Sequence, residues 1–509
     1  MAASTTRHQP AGTLKGSQTR RDYGAYYTPR PVVEQMVSQL DLTPDAHILE
    51  PSGGDGAFVD VLIEHGIPAQ QITVWDIDPA VEAAMRQKGV NFELKDSLLD
   101  INSLLDFGDG PGGVTGEEYT HVVGNPPYLN KQSSYIKNHR QKLRRLYGEI
   151  GANDTYAMFT YMALGQLKRG GRLVFLISDT FLTLGTHRRF REHLLSNYQI
   201  NSITLLPKET FRDASVNTCI LDITKQKPGA DHAIRFVDCR DKAAGDFDGE
   251  EHRVPQHELR EHPGTLIVFG QAHETLKAIR RLPPMVDLLD GGLGMHTGDN
   301  HRYLAVIETG APRSIRNWPQ QITPDQLDGQ NWVPYHKRGG STPWWLPVEF
   351  AVDWRPQSRS NYGIPATVNQ RLNEKGEPRP GFLISGVADQ LTARAMYPGA
   401  LWDSNKVFAF FPKDPETYPP TFFIAALNSS VYRKIAKALN HTVSLQIRDL
   451  KQLPLLPFTE EETHRLAELG DAAVIRAINR EDVGDLEEKI NRIADEAWRR
   501  VVGQTGDAS

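Results

Sequence analysis

Asn125, Pro126, Pro127 and Tyr128 stand directly after the apolar run Thr120–Gly124, so an amide, a stiffened loop and an aromatic face sit together at one expected strand end. An amino group conjugated to a purine ring is a poor nucleophile, because its lone pair is delocalised into the ring. An asparagine oxygen and a backbone carbonyl that accept its two hydrogens make the nitrogen more electron-rich and shift it toward sp3 geometry. The two prolines restrict the loop and fix the Pro126 carbonyl as the second acceptor. Tyr128 offers a flat surface on which an extruded base could stack. A methyl group carried on a sulfonium could then transfer in line. Alignment and electrostatics would supply most of the acceleration, without a metal. By itself the tetrapeptide is only a stiff turn, and its weight comes from what precedes it in the chain.

What precedes it is a second chemical segment, Ile48–Phe58 (ILEPSGGDGAF), which runs from a strand through a glycine-rich loop into a helix. Gly53, Gly54 and Gly56 let the backbone approach a ligand closely. Val59 occupies the place of the third glycine in the dinucleotide fingerprint, so the loop alone indicates nucleotide binding only loosely. Asp76 ends the next strand, where an acid can hold ribose hydroxyls. Asp96, in Lys95–Asp100 (KDSLLD), ends a third and is placed to meet the amino group of a cofactor adenine. Asp76, Asp78 and Asp96 could instead cap the helices that follow them. For Asp78, which precedes Pro79 at a helix start, capping is the preferred reading; for Asp76 and Asp96 it is cofactor binding.

These residues need a frame that brings strand ends together. From Tyr23 to about Lys227 short apolar runs alternate with amphipathic stretches. Residues 47–50, 72–78, 120–128, 172–178 and 202–207 read as strands, while 56–66, 79–89 and 155–171 read as helices stopped by glycine. This alternation predicts an α/β, Rossmann-like, doubly wound domain with a mainly parallel sheet. The expected domains are a tail over residues 1–22, a cofactor-binding catalytic domain over 23–270, an irregular α+β domain over 271–458 and a helical segment over 459–509. In the last segment Leu486, Ile490, Ile493 and Ala497 recur at helical spacing.

The chain has 509 residues, enough for two or three domains, with 39% hydrophobic and 24% charged residues, as in ordinary globular proteins. Its net charge of −6 gives no overall sign of a nucleic-acid binder, so any such affinity must come from local basic patches. The only cysteines, Cys219 and Cys239, exclude a disulfide framework and are too few for a structural zinc site, which suggests a cytoplasmic protein. No run reaches the twenty apolar residues of a membrane helix, and the polar N-terminus lacks a signal-peptide core.

Taken in order, residues 24–37 (GAYYTPRPVVEQMV), 48–58, 74–79 (VWDIDP), 95–100, 122–130 (VVGNPPYLN) and 156–178 resemble the motifs of gamma-class N6-adenine DNA methyltransferases of the Taq and Eco57I types. Type IIG restriction enzymes and phage-defence systems of the BREX kind contain relatives of these. The resemblance implies transfer of a methyl group from S-adenosyl-L-methionine to the N6 amino group of an adenine flipped out of double-stranded DNA. It assigns Tyr27, Thr28 and Pro29 to the methionine end of the cofactor, and Glu50, Pro51, Gly53 and Gly54 to the cofactor loop. Asp76 with Ile77 falls to the ribose and Asp96 with Ser97 to the adenine. Asn125 to Tyr128 fall to catalysis, with Asn125 also beside the cofactor. Phe211 would be the aromatic on the other face of the flipped base, although it could equally be a core residue.

The second half resembles the target-recognition domains of the same enzymes at residues 292–304, 331–345 and 443–458 and in the closing helix. Trp332, Trp344 and Trp345 read as core or loop anchors. Lys337 and Arg338, beside two glycines, read as phosphate contacts. After the catalytic motif, Lys131, Lys137, Arg140, Lys142, Arg144 and Arg145 crowd into one stretch. Such a run is commonly a solvated helix face, but beside a site that must grip phosphates it reads as DNA contact. Thr186–His193 (THRRFREH) is a second basic candidate. The twenty-odd residues ahead of the first domain are too few for a nuclease, so cleavage, where it accompanies modification, is expected from a separate restriction endonuclease or defence-system subunit. Release-factor glutamine methyltransferases share Asn-Pro-Pro-Tyr but are shorter, and a DNA-binding scaffold that has lost catalysis is the non-enzymatic alternative.

Overall fold

The computed structural model describes residues 27–100, 119–211, 217–308, 318–404, 406–440 and 445–506. The expected tail 1–22, the start of the 24–37 motif, residues 212–216 after Phe211 and residues 443–444 lie outside them. The chain divides into two compact units, Met1–Phe269 and Gly270–Ser509.

Among the described residues the first unit has nine strands: β1 Ile48–Glu50, β2 Ile72–Asp76, β3 Asn91–Leu94, β4 Tyr119–Gly124, β5 Leu167–Ser178, β6 Gln199–Leu205, β7 Thr218–Thr224, β8 Ala233–Asp238 and β9 Glu250–Pro255. They lie in the order β3-β2-β1-β4-β5-β7-β6-β8-β9. β1 pairs in parallel with β2 on one side and with β4 on the other, and β2–β3 and β4–β5 are also parallel. The winding therefore reverses at β1, and a crevice opens beyond the carboxyl ends of β1 and β4.

Successive residues on these strands enter opposite cores. Leu49, Val122, Leu173 and Phe175 pack on one face. Ile48, Val123, Val174 and Leu176 pack on the other. Both sets are apolar because helices cover both faces, which is why the strands read as continuous hydrophobic runs. Helices α1 Arg30–Ser38, α2 Ala57–Glu64 and α3 Glu82–Gln87 supply Val33, Val59 and Met85 to one face. Two short helices, α4 Ser134–Asn138 and α5 Arg140–Tyr147, lead to α6 Thr155–Gln166 and α7 Arg188–Asn197. From these last two, Phe159, Met162, Phe190 and Leu194 cover the other face.

Two local expectations change. The stretch 155–171 is not one glycine-stopped helix: α6 ends at Gln166 and β5 begins at Leu167. Its Gly170–Gly171 pair is part of the strand, at φ +78° for Gly170, beside a register shift between Tyr119 and His121. A Cβ on Gly171 would lie 2.8 Å from the Thr120 carbonyl oxygen, so the glycine serves a bulge. The far edge adds β7, which is antiparallel to both β5 and β6, as well as β8 and β9.

The second unit holds two sheets. One has the order β10-β18-β15-β16, from Leu289–Leu293, Val407–Pro412, Phe382–Ser385 and Ala393–Ala395. The other has the order β12-β11-β14-β13-β17, from Gln321–Ile322, Leu304–Ile307, Phe350–Asp353, Trp332–His336 and Leu401–Trp402. Leu304, Val333 and Val352 share one core with Leu383, Val407 and Ala409. Residues 459–509 hold two helices, Glu460–Asn479 and Gly484–Gly506, and belong to this unit. On the last helix the buried positions are Leu486, Ile490, Ala494, Ala497 and Val501; Ile493 is only half-buried, one step off the expected stripe. Among the described residues no helix is long and apolar enough to cross a membrane.

Gly470 sets how closely Glu460–Asn479 approaches Pro420–Asn428, since a Cβ there would lie 2.2 Å from the Thr421 carbonyl oxygen. Alanine in a helix interior normally gains about 1 kcal/mol over glycine. Overpacking against backbone costs about 1–3 kcal/mol. Gly470→Ala should therefore lower stability in urea unfolding, and a rise in stability would contradict this packing.

Candidate active site

Four loops meet at the crevice where the winding reverses, those after β1, β2, β3 and β4. The glycine loop after β1 is pinned from both sides. Gly53 N–H donates to the Trp75 carbonyl at 3.1 Å, and Gly54 N–H to Asp76 Oδ2 at 2.9 Å. A Cβ on Gly53 would lie 2.2 Å from Val74 Cγ1, so only glycine allows the loop to run this close to β2. Asp76 Oδ1 accepts from Asp78 N–H at 2.8 Å. Burial pushes the Asp76 carboxyl up, while these backbone donors pull it back. Asp78 Oδ1 accepts from Ala80 N–H and caps the short turn Pro79–Val81, the capping role expected for it.

The loop after β3 is tied to the glycine loop by Ser97 Oγ, which donates to the Pro51 carbonyl at 2.7 Å. Asp96 Oδ1 accepts from Leu98 and Leu99 N–H, so Asp96 does cap a turn. Both of its carboxylate oxygens also lie 2.9 Å from the Tyr135 hydroxyl, which donates to them from α4. Burial, reinforced by the charge on Asp96, holds that phenol well above its ordinary range.

The loop after β4 carries the tetrapeptide. Ser52 Oγ donates to the Asn125 carbonyl at 3.3 Å, and Asn125 Nδ2 donates to Thr28 Oγ1 at 3.1 Å. With the amide nitrogen so directed, Oδ1 is its acceptor end. Pro126 is buried. The Pro127 carbonyl accepts from Thr155 Oγ1, which in turn accepts from Leu129 N–H at 2.9 Å. Tyr128 is half-buried, with its hydroxyl on the Leu176 carbonyl at 3.1 Å and its ring 6.3 Å from that of Tyr156.

Pro51, Ser52, Gly54, Asp76, Ile77, Asp96, Ser97, Asn125 and Pro127 line one cavity. Residue types read separately as cofactor-binding and catalytic thus open onto the same space. Tyr135, Lys95, Leu129, Thr155 and Phe159 also line it, none of which the sequence reading singled out. Tyr135 lies in the basic stretch that follows the tetrapeptide, where positive charge is the visible signal. Gly53 and Glu50 sit behind the lining. Tyr27 is exposed, and Pro29 is the N-cap residue of α1. Phe211 packs on the core that contains Val74 and Val123.

Glu50 is 1% exposed, and its Oε2 has no hydrogen-bond partner among the described residues. Burial, reinforced by Asp55 and Asp76, holds its carboxyl well above the usual range. Such an oxygen is fitted to meet a cationic or hydrogen-donating group that enters the cavity.

The basic candidates separate. Lys131, Lys137, Arg140 and Arg144 line a single second hollow, whereas Lys142 and Arg145 do not. Lys337 is paired with Asp403, and Arg338 Nε with Glu349 Oε2 at 2.9 Å, so both are neutralised within the second unit. Trp344 is buried and donates through Nε1 to Glu487 at 2.9 Å, while Trp332 and Trp345 are half-buried. In Thr186–His193, Arg191 is fully buried and donates to the carbonyls of Phe181, Leu184, Gly264 and Thr265. That residue is a structural clamp. Among the described residues no group of three His, Cys, Asp or Glu side chains could hold a metal.

Because Glu50 holds its proton more tightly when folded than when unfolded, the folded chain binds the extra proton. Stability from this group is complete below the ordinary glutamate range and falls as pH rises toward the raised value, by up to about 1.4 kcal/mol per pH unit. Glu50→Gln should flatten that fall and raise the melting temperature at pH 7. Glu50→Gln melting below wild type at pH 7 would contradict the reading of a penalised acid.

The family described as N-6 DNA Methylase matches residues 15–261. The type II methyltransferase M.HincII of Haemophilus influenzae is 26% identical over 209 residues, covering 40% of this chain. This chain spans 38% of the length of that relative. M.TthHB8I of Thermus thermophilus is 23% identical over 474 residues, covering 89% of this chain and 95% of its own length. Among solved structures, the ATP-dependent type ISP restriction-modification enzyme LlaBIII bound to DNA superposes with a TM-score of 0.55 at 12% identity, over 90% of this chain and 40% of that one. The DrdV–DNA complex gives a TM-score of 0.54 at 15% identity, over 90% and 58%. These two likenesses show a shared fold. The sequence match adds the family, and residues 15–261 belong to the N-6 DNA Methylase family.

Proposed function

We propose that this chain is a site-specific DNA methyltransferase that uses S-adenosyl-L-methionine to methylate the N6 amino group of an adenine extruded from double-stranded DNA. The observation that carries the proposal is the one cavity onto which Asp76, Asp96 and Asn125 open from the carboxyl ends of β2, β3 and β4. A ribose suits the Asp76 end and a purine amino group the Asp96 end. The Glu50 oxygen, without a partner among the described residues, fits an ammonium or sulfonium nearby. The cofactor, when bound, supplies an electrophilic methyl group.

The rest is work for the chain. Asn125 Oδ1 accepts one hydrogen of the target amino group, and the Pro126 carbonyl accepts the other. This concentrates electron density on the nitrogen and turns its lone pair toward the cavity. Thr28 holds the Asn125 amide in orientation, and Thr155 ties the Pro127 carbonyl so that the loop does not reorganise during transfer. Tyr128, anchored at its hydroxyl, presents a ring for stacking. The proton left on the methylated nitrogen passes to solvent after transfer.

The second unit, by its place after the catalytic unit, would read the target sequence. The relatives' membership in restriction-modification systems supports the same context here, with a separate nuclease or defence subunit as partner and the cytoplasm as the compartment. A glutamine methyltransferase would not need 240 residues beyond Phe269.

Purified chain incubated with unmethylated genomic DNA and tritiated S-adenosyl-L-methionine should label N6-methyladenine in the digested nucleosides. Asn125→Ala should lower kcat by at least about 100-fold and leave cofactor affinity within about threefold. Label on cytosine or on protein, or equal turnover by the variant, would overturn the proposal.

A further inference from the structure

The hollow lined by Lys131, Lys137, Arg140 and Arg144 is separate from the cofactor cavity and has a volume of about 280 Å³, room for a hydrated phosphodiester group. Gln132, Ile136, Leu143, Gly151, Ala152 and Asn153 complete its wall, and no carboxylate of a described residue lines it. Lys131, Lys137, Arg140 and Arg144 thus share one concavity, and like Lys142 and Arg145 beside them they differ from the paired cations of the first unit. Arg30, Arg86, Arg188 and Arg235 each pair with a glutamate. None of the four has an ion pair with a described residue. Four like charges around one concavity repel each other, a cost that an anion seated among them removes.

Backbone strain points to the same place. Ala152, on the rim, holds φ +46°, a conformation that costs a non-glycine residue free energy and gathers at ligand clamps. Its neighbour Gly151 lies at φ +101°. This rim is joined to the catalytic loop by an isolated bridge between Asn130 and Asp154.

The location selects the anion. One short segment divides the two spaces: Leu129 and Tyr135 face the cofactor cavity, while Lys131, Gln132, Ile136 and Lys137 face the hollow. An anion held here would sit a few residues from Tyr128, where an extruded base would stack. Resting on the methylation reading above, we propose that the hollow seats one backbone phosphate of the DNA strand that carries the extruded adenine, and so fixes that strand while its base is turned out.

The test is DNA binding followed by fluorescence anisotropy over a range of salt concentrations, for wild type and for the triple variant Lys137→Gln, Arg140→Gln, Arg144→Gln. These side chains are exposed, so the fold should persist. Unchanged affinity for S-adenosylhomocysteine checks this. Loss of one seated phosphate reduces the slope of log K against log salt by about 0.9, with affinity at low salt falling roughly ten-fold. The loss should be the same on target and non-target duplexes, since a phosphate carries no sequence. Unaltered affinity and slope in the triple variant, with wild type binding normally, would overturn the phosphate site alone. A slope loss near 2.7, about 0.9 for each cation removed, would replace it with a diffuse basic surface. Absence of DNA binding by wild type would overturn the methylation reading and this site together.

Discussion

Asp76 accepts one backbone N–H from the loop after β1 and another from its own loop after β2, and the remaining parts of the site depend on that grip. It holds the glycine loop against β2, which only Gly53 permits, and so keeps Pro51 and Ser52 where two further ties can form. Ser97 binds the Pro51 carbonyl and brings in the loop after β3. Ser52 binds the Asn125 carbonyl and brings in the loop after β4. Four strand ends are thereby joined by hydrogen bonds that involve backbone at one or both ends. The Asn125 amide and the Glu50 oxygen that has no partner among the described residues are the groups with chemistry to offer. Positioning done by backbone hydrogen bonds is resistant to solvent and costs little reorganisation when a substrate arrives.

The electrostatics follow from the same topology. Parallel strands direct their carboxyl ends, and the acids that terminate them, into one crevice. Burial, reinforced by Asp55 and Asp76, raises the protonation of Glu50, and this penalised acid fits a site awaiting a cationic ligand. On the other side of the segment 129–137 the sign reverses, with four cations around a separate hollow, none paired with a described residue. A chain with net charge −6 thus keeps a concentrated positive surface beside the place where a nucleic-acid base would be handled.

Much of this was legible in the sequence because the first unit obeys simple periodicities. Short apolar runs became strands buried on both faces, and the acids after them arrived at the crevice. Asp96 shows the limit of that reading: capping and ligand contact were weighed as alternatives, yet its carboxylate caps a turn and still faces the cavity. Tyr135 was hidden because its partner, Asp96, is 39 positions away and nothing local signals the pairing. Gly170 and Gly171 looked like a helix stop because a bulge and a C-cap ask for the same residue. In the second unit short strands pair across long separations, as Leu289–Leu293 does with Val407–Pro412, so no window of sequence reveals the sheets. The pairing of Lys337 with Asp403 is of the same long-range kind.

The central claim is that the loops joined through Asp76 form one cofactor site. Calorimetric titration with S-adenosylhomocysteine, comparing wild type with Asp76→Ala, tests it most directly. The account predicts one site per chain in wild type and no detectable binding to a variant whose circular dichroism remains native. Equal affinity in both proteins would contradict it.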